Sequence, residues 1–188
     1  SSFTNQVQSS FESSLEHLNT DYLDSYILHG PMTSRGLTDG DWEIWRAIEK
    51  LAESDRVKKI GISNVNLGQL KDLCEGAKIK PSFVQNRCYS RTGWDFQIRD
   101  FCMKNKIIYQ GFSLLTANMD AQRNPVFKSI VEKYKLTPAQ AVFNFASHVG
   151  MLPLTGTTDF AHMCEDLESF EIKMNSDDIS TIEKITTH

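Results

Sequence analysis

The sequence predicts an α/β fold built on a parallel sheet, and three observations predict it. Segments with a helical apolar period alternate with short β-branched runs along the whole chain. Each β-prone run closes on a polar turn, as strands feeding crossover helices do. The composition, 40% apolar and 23% charged over 188 residues, is that of a globular domain able to bury its own core.

The elements follow in order. Phe3, Val7, Phe11, Leu15 and Leu18 recur at a helical period, and Tyr26-Ile27-Leu28-His29 is a short strand closed by Gly30-Pro31. Trp42, Trp45, Ile48 and Leu51 mark a helix begun by Asp39 or Asp41, followed by a strand over 57–62 and the polar pair Ser63-Asn64. Leu67, Leu70, Leu73 and Cys74 give a helix ending near Gly76. Phe83-Val84-Gln85 then reads as a strand, 96–103 as a helix and 107–112 as a strand. Residues 125–134 and 138–147 form two helices with proline in the first turn, ahead of a strand over 151–154 and helices near 161–167 and 176–185.

Charge and cysteine usage exclude several classes. Lys and Arg total 20 against 24 Asp and Glu, a net charge of -4, so there is no basic field to attract nucleic acid or an anionic bilayer. Apolar runs are too short to span a membrane, and residues 1–15 lack the pattern of a signal peptide, so a cytoplasmic location is expected. Cys74, Cys88, Cys102 and Cys164 contain no CxxC pair and read as reduced, mostly buried thiols, with no metal site.

In a (β/α)8 barrel the turns after the strands form the active-site face, and such barrels run to ~250 residues. Five strands over 188 residues leave two architectures open, an open sheet or a barrel lacking its first three βα units. A complete flavodoxin-like receiver would need a Gly-rich phosphate loop after its first strand, and Tyr26 to Met32 provides none.

Ser14-Leu15-Glu16-His17-Leu18 with the run Asp21 to His29, then Gly61-Ile62-Ser63-Asn64, Val84-Gln85 and Phe170 to Ile179, resemble the aldo-keto reductase family in that order across essentially the whole chain. The resemblance implies a (β/α)8 barrel of aldo-keto reductase type, represented by about five βα units from its fourth strand onward. Residues 1–188 would be one domain, the carboxy-terminal part of that barrel, with the amino-terminal third absent.

The resemblance also implies an oxidoreductase that reduces small aldehydes or ketones to alcohols by hydride transfer, using NADPH with NADH as the alternative. Hydride transfer builds negative charge on the carbonyl oxygen, which calls for an oriented hydrogen-bond donor. Of the family's catalytic Tyr, Lys, Asp and His, only the histidine maps onto this chain, at His29; a histidine closing a strand without that context reads as structural.

Ser63, Asn64 and Gln85 match the residues that bind the nicotinamide carboxamide, and they supply one hydroxyl and two amides. Phe112 stands where the family usually stacks a tyrosine on the nicotinamide ring. Ser113 and Leu115 match its pyrophosphate turn, with Leu114 replacing the usual proline. Leu154, Thr155 and Gly156 match the last strand and phosphate turn, Leu154 replacing a lysine.

With one residue inserted, His162 falls on the arginine that grips the adenosine 2′-phosphate, Glu165 on the adenine-binding glutamate and Asp166 on the asparagine beside it. Histidine is a weaker, pH-dependent partner for a phosphate than the arginine fork. The alternative for His162 is a place at a helix N-terminus, itself an anion site.

The expected activity belongs to a parent chain, and residues 1–188 alone are expected to be inactive. The rival is a shortened, non-catalytic homologue serving as a binding or regulatory module. A small carbonyl substrate is the expected partner, with no nucleic acid and no membrane. His17, His148 and His188 read as surface or satisfied residues, and Trp94 as a candidate wall of the substrate pocket with the core as its rival. Ile27, Ile60, Val84 and Ile108 are expected to point into the barrel interior.

Overall fold

A computed structural model describes residues 2–185; His188 lies outside the described residues. The elements run α1 (Phe3–Leu18), β1 (Leu23–Leu28), α2 (Asp39–Glu53), β2 (Val57–Ser63), α3 (Leu67–Gly76), β3 (Phe83–Arg87) and α4 (Phe96–Lys104). They continue with β4 (Ile108–Phe112), α5 (Met119–Arg123), α6 (Pro125–Tyr134), α7 (Pro138–His148), β5 (Met151–Pro153), α8 (Phe160–Glu168) and α9 (Ser176–Glu183). The strands form a parallel sheet in the order β1-β2-β3-β4-β5. All five anticipated strands are present. The short α5 and three 3-10 turns have no counterpart in the periodicity, being shorter than the window that reveals a helical face. The chain divides into two compact units, residues 1–85 with 105–107, and residues 86–104 with 108–188.

In the first unit α1 buries Phe11 and Leu15, while Leu18, in its last turn, stays exposed. The Phe11 ring meets Tyr26 edge-on at 5.6 Å. Helix α2 begins at Asp39, one of the two expected starts, and its cap is Thr38. The Thr38 hydroxyl accepts from Asp41 N–H, and the Asp41 carboxylate returns a bond to Thr38 N–H. Asp41 is therefore a buried third residue of a capping box.

Parallel pairing sets Tyr26 beside Ile60 and Ile62 beside Val84. The Phe11–Tyr26 contact marks this as the helix-covered face, and Ile60 and Val84 are fully buried on it. The expected place of Ile60 and Val84 in a barrel interior is thus corrected. Side chains alternate along a strand, and the opposite face carries Ile27, Lys59, Gly61, Ser63, Phe83 and Gln85. Gly61 is obligatory on that face, because a Cβ would lie 2.7 Å from Phe83 O.

Glu49 is buried on α2 and ties that helix to the segment after α3. Its Oε1 accepts Lys78 N–H and Ile79 N–H at 2.7 and 2.9 Å, and its Oε2 accepts from Arg46 at 2.7 Å. Burial alone would raise its pKa. The hydrogen bonds and charge of Arg46, with the two amides, outweigh burial and hold it below the ordinary 4.5.

In the second unit Tyr109 pairs with Met151, and Gln110 with Leu152. Ile108 is 42% exposed, on the same face as Gln110 and Phe112, while Tyr109 turns into the core. Trp94 is core and not a pocket wall: it is fully buried, its ring lies 4.9 Å from Phe145, and its Nε1 donates to Ile182 O at 3.2 Å. The buried Arg99 donates to Trp94 O at 2.7 Å, to Val149 O at 2.9 Å and to Glu183. His148 is exposed and its Nδ1 lies 2.9 Å from Asn144 O, and His17 is also exposed. Cys74, Cys88, Cys102 and Cys164 are all free thiols, three of them buried.

Because Glu49 titrates lower in the folded chain, its contribution is present above the ordinary value of 4.5 and is lost as pH falls through the folded value. Glu49→Ala removes the acceptor of two part-buried amides, Lys78 and Ile79, and is expected to cost about 1–3 kcal/mol at neutral pH. Urea melts at pH 7 and pH 3.5 check this. The gap between wild type and variant should narrow at the lower pH, and a constant gap would contradict the assignment.

Candidate active site

The first unit gathers four of the expected site residues: His29, Ser63 and Asn64 at the ends of β1 and β2, and Gln85 within β3, which runs on to Arg87 and does not close at Gln85 as expected. His29 follows β1 directly and its side chain is exposed. Asn64 Nδ2 donates to His29 O at 2.8 Å. Asn64 N–H donates to Gln85 O at 3.0 Å, and the buried Ser63 hydroxyl donates to the same oxygen at 2.6 Å. Asn64 holds φ 54°, a left-handed conformation that asparagine tolerates better than most residues. Gly30 makes room for this turn, since a Cβ there would sit 3.2 Å from Ser63 O and 3.3 Å from Asn64 Cβ. Asn64 does not cap the next helix; Asn66 does, in a capping box with Gln69.

The loop after His29 is held by polar side chains that sequence reading missed. Asp41 Oδ1 accepts Met32 N–H at 2.8 Å. Gln69 Nε2 donates to Thr33 O and Gly36 O at 2.8 and 2.9 Å, and Asn66 Nδ2 to Ser34 O at 3.0 Å. Asp41 and Gln69 are buried. Their signal was the capping-box spacing, which foretells a helix start and says nothing of the loop each box also grips.

The second unit carries the remaining candidates in two groups. At the end of β4, Phe112 is half-buried and Ser113 turns the chain at φ 56°. Ser113 Oγ accepts from Arg87 Nε at 3.2 Å, so a cation that the sequence reading did not single out stands beside the expected pyrophosphate turn. Leu154 N–H donates to Gly111 O at 2.8 Å, which continues the β4–β5 ladder by one bond. Asn118, fully buried, secures the turn: its Oδ1 accepts Ser90 N–H at 2.6 Å and its Nδ2 donates to Cys88 O and Leu114 O, both at 2.9 Å. Burial, with the Asp95 carboxylate, pushes the Cys88 thiol up to about 12, so it is no nucleophile.

Leu115, Thr155, Gly156, His162, Glu165 and Asp166 converge on one cavity of about 580 Å³, completed by Gln122, Thr137, Pro138, Ala139 and Thr157. Phe112, Ser113 and Leu154 lie outside its lining. Thr155 Oγ donates to Asp166 Oδ2 at 3.1 Å. The start of α8 is not an open anion site, because Asp159 Oδ1 accepts Ala161 N–H and His162 N–H at 2.8 and 3.3 Å. The His162 and Ala161 amides hold the Asp159 carboxyl below its usual range. Among the described residues no three His, Cys, Asp or Glu side chains gather as metal ligands, and no helix is long and apolar enough to cross a membrane.

A parallel sheet with polar groups at the strand ends is a scaffold shared by many enzymes; comparison with known proteins narrows it. The chain belongs to the aldo/keto reductase family, which it matches over residues 2–187. Its fold is the barrel of that family, represented by five βα units. It is 28% identical to aldose reductase B of Dictyostelium discoideum, over 97% of this chain and 65% of that protein. It is 29% identical to glyoxal reductase of Bacillus subtilis, over 93% of this chain and 61% of that protein. A crystal structure of an aldo/keto reductase from Brucella melitensis superposes with a TM-score of 0.84 at 30% identity, covering 96% of this chain and 67% of that one. The chain thus spans about three fifths of the length of these curated relatives.

Asn118 carries three hydrogen bonds in a buried setting, so Asn118→Ala leaves Ser90 N–H, Cys88 O and Leu114 O without partners. The expected loss is about 2–4 kcal/mol, seen as a fall in thermal midpoint. Hydrogen exchange should quicken at Ser90, and an unaltered midpoint would show that the turn is held by other means.

Proposed function

We propose that this chain forms part of an oxidoreductase that reduces small aldehydes or ketones with a nicotinamide dinucleotide, NADPH or NADH. The observation that carries the reading is Asn64, which binds the backbone on both sides of the candidate site at once, His29 O and Gln85 O. Family membership supports the same reading.

The donor set fits the cofactor. A primary carboxamide presents one acceptor and two donors, and the side chains of Ser63, Asn64 and Gln85 offer groups of both kinds. The cavity beside α8 is within the ~300–1,000 Å³ range of small-molecule sites and has room for a nucleoside. A bound dinucleotide supplies a hydride to the carbonyl carbon.

The chain's own residues do the rest. The His29 side chain, exposed at the strand end, presents a ring N–H toward a carbonyl oxygen and stabilises the negative charge that gathers there. The Asn64 bond to His29 O fixes the backbone from which that ring projects, so orientation is set before substrate arrives. Ser63 is a poor proton donor to a ligand, since its hydroxyl hydrogen is committed to Gln85 O; its lone pairs accept from an amide N–H. Phe112 offers a ring face for stacking, and Arg87 with Ser113 offers donors to a pyrophosphate.

Asn64→Ala removes both a carboxamide partner and the anchor of His29. It is expected to weaken dinucleotide binding by about 1–3 kcal/mol with the far-UV spectrum unchanged. Fluorescence titration of the intact protein measures this. Turnover should fall further than binding, because His29 loses its anchor, and a dissociation constant identical to wild type would remove Asn64 from the site.

A further inference from the structure

We infer that the cavity between β5, α7 and α8 selects a dinucleotide with a free 2′-hydroxyl on its adenosine ribose, NADH, over one bearing a 2′-phosphate, NADPH. The inference rests on the dinucleotide reading above and on the charges of this cavity.

The cavity holds three ionisable side chains, Glu165, Asp166 and His162, and neither Lys nor Arg is among its lining residues. Glu165 and Asp166 are half-buried, whereas His162 is exposed. A third carboxylate, Asp159, already occupies the first amides of α8, the place where a phosphate would otherwise gain most. The protein's own anion fills the anion site.

Two of the neutral donors are committed. Thr155 Oγ donates to Asp166, whereas the Thr137 and Thr157 hydroxyls act as acceptors, from Gln140 N–H and Asp159 N–H. Gln122 Nε2 donates to Leu115 O and Asn118 O at 2.7 and 3.2 Å. What dominates the charge of the cavity is its carboxylates. A vicinal diol is a pair of donors and pairs with carboxylates; a phosphate dianion is acceptor-only and meets like charge, which is repulsive at any effective dielectric constant. Arg87, beside Ser113, does not line the cavity.

Isothermal titration of the intact protein with NADH and with NADPH at pH 7.5 tests this, alongside 5′-AMP and adenosine 2′,5′-bisphosphate, which differ only by the 2′-phosphate. NADH is expected to bind about tenfold tighter or more, and 5′-AMP to outbind the bisphosphate. His162→Arg, at an exposed position, and Glu165→Gln should each shift the ratio toward NADPH. Equal or tighter NADPH binding overturns the inference while leaving the dinucleotide reading intact. A preference for NADH unmoved by both variants places the selection outside this cavity and overturns it too. Failure of both dinucleotides to bind overturns the dinucleotide reading and the selectivity with it.

Discussion

The backbone oxygen of Gln85 is the point on which the candidate site of the first unit depends. Where the β2–β3 ladder stops, this carbonyl accepts both the Ser63 hydroxyl and the Asn64 amide. A carbonyl partly withdrawn from water is best paired, and Asn64 makes this pairing from the left-handed region. That conformation turns the Asn64 side chain back to His29 O. One hydrogen-bonding requirement therefore ends a strand, sets a turn and anchors the residue expected to touch substrate. Gly30 suits the same arrangement, because a Cβ there would press on Ser63 O at 3.2 Å.

A second layer of buried polar side chains carries the loops themselves. Asp41 and Gln69 each serve twice, as the third residue of a capping box and as a clasp on the loop after His29. Asn118 does the same service for the turns after β3 and β4. Each bond adds only about 1 kcal/mol net, but leaving one partner unpaired costs more than the bond supplies, so these loops are held chiefly by the penalty for opening them. Rigid loops are what a positioned hydrogen-bond donor requires.

The order of helices and strands was legible because amphipathic period and strand alternation are local properties, visible in Phe11 and Leu15 or in the run from Val57 to Ile62. The phase of the strands was not. A stretch such as Val57 to Ser63 is buried on both faces near its end, so its residues alone do not tell Ile60 from Gly61 as the one turned to the helices. Partners distant in sequence were also invisible: Trp94 with Ile182 spans 88 residues, and Asn118 with Ser90 spans 28. His29, Ser63 and Asn64 could be named because they sit at strand ends, where the turn pattern and the family resemblance coincide, whereas Gln85 lies inside β3 and only the resemblance singles it out. Arg87 escaped notice because its significance lies in Ser113, which is 26 residues away.

Charge in the second unit is distributed in a way that composition conceals. The net charge of -4 suggests a mildly acidic surface, yet the two candidate regions differ in sign. Ser113 has the Arg87 guanidinium at hydrogen-bonding distance, with Arg91 stacked over Tyr89 nearby. The cavity beside α8 has carboxylates and one histidine. A dinucleotide is itself asymmetric, with its two fixed negative charges at the pyrophosphate and, without a 2′-phosphate, only hydroxyls at the adenosine ribose. The cation lies at the strand-end turn and the carboxylates line the cavity, so the two regions are opposite in sign. With Leu154 at the end of β5 adding no positive charge, the sign change between the regions is kept sharp, and a further phosphate at the ribose would set negative charge against negative.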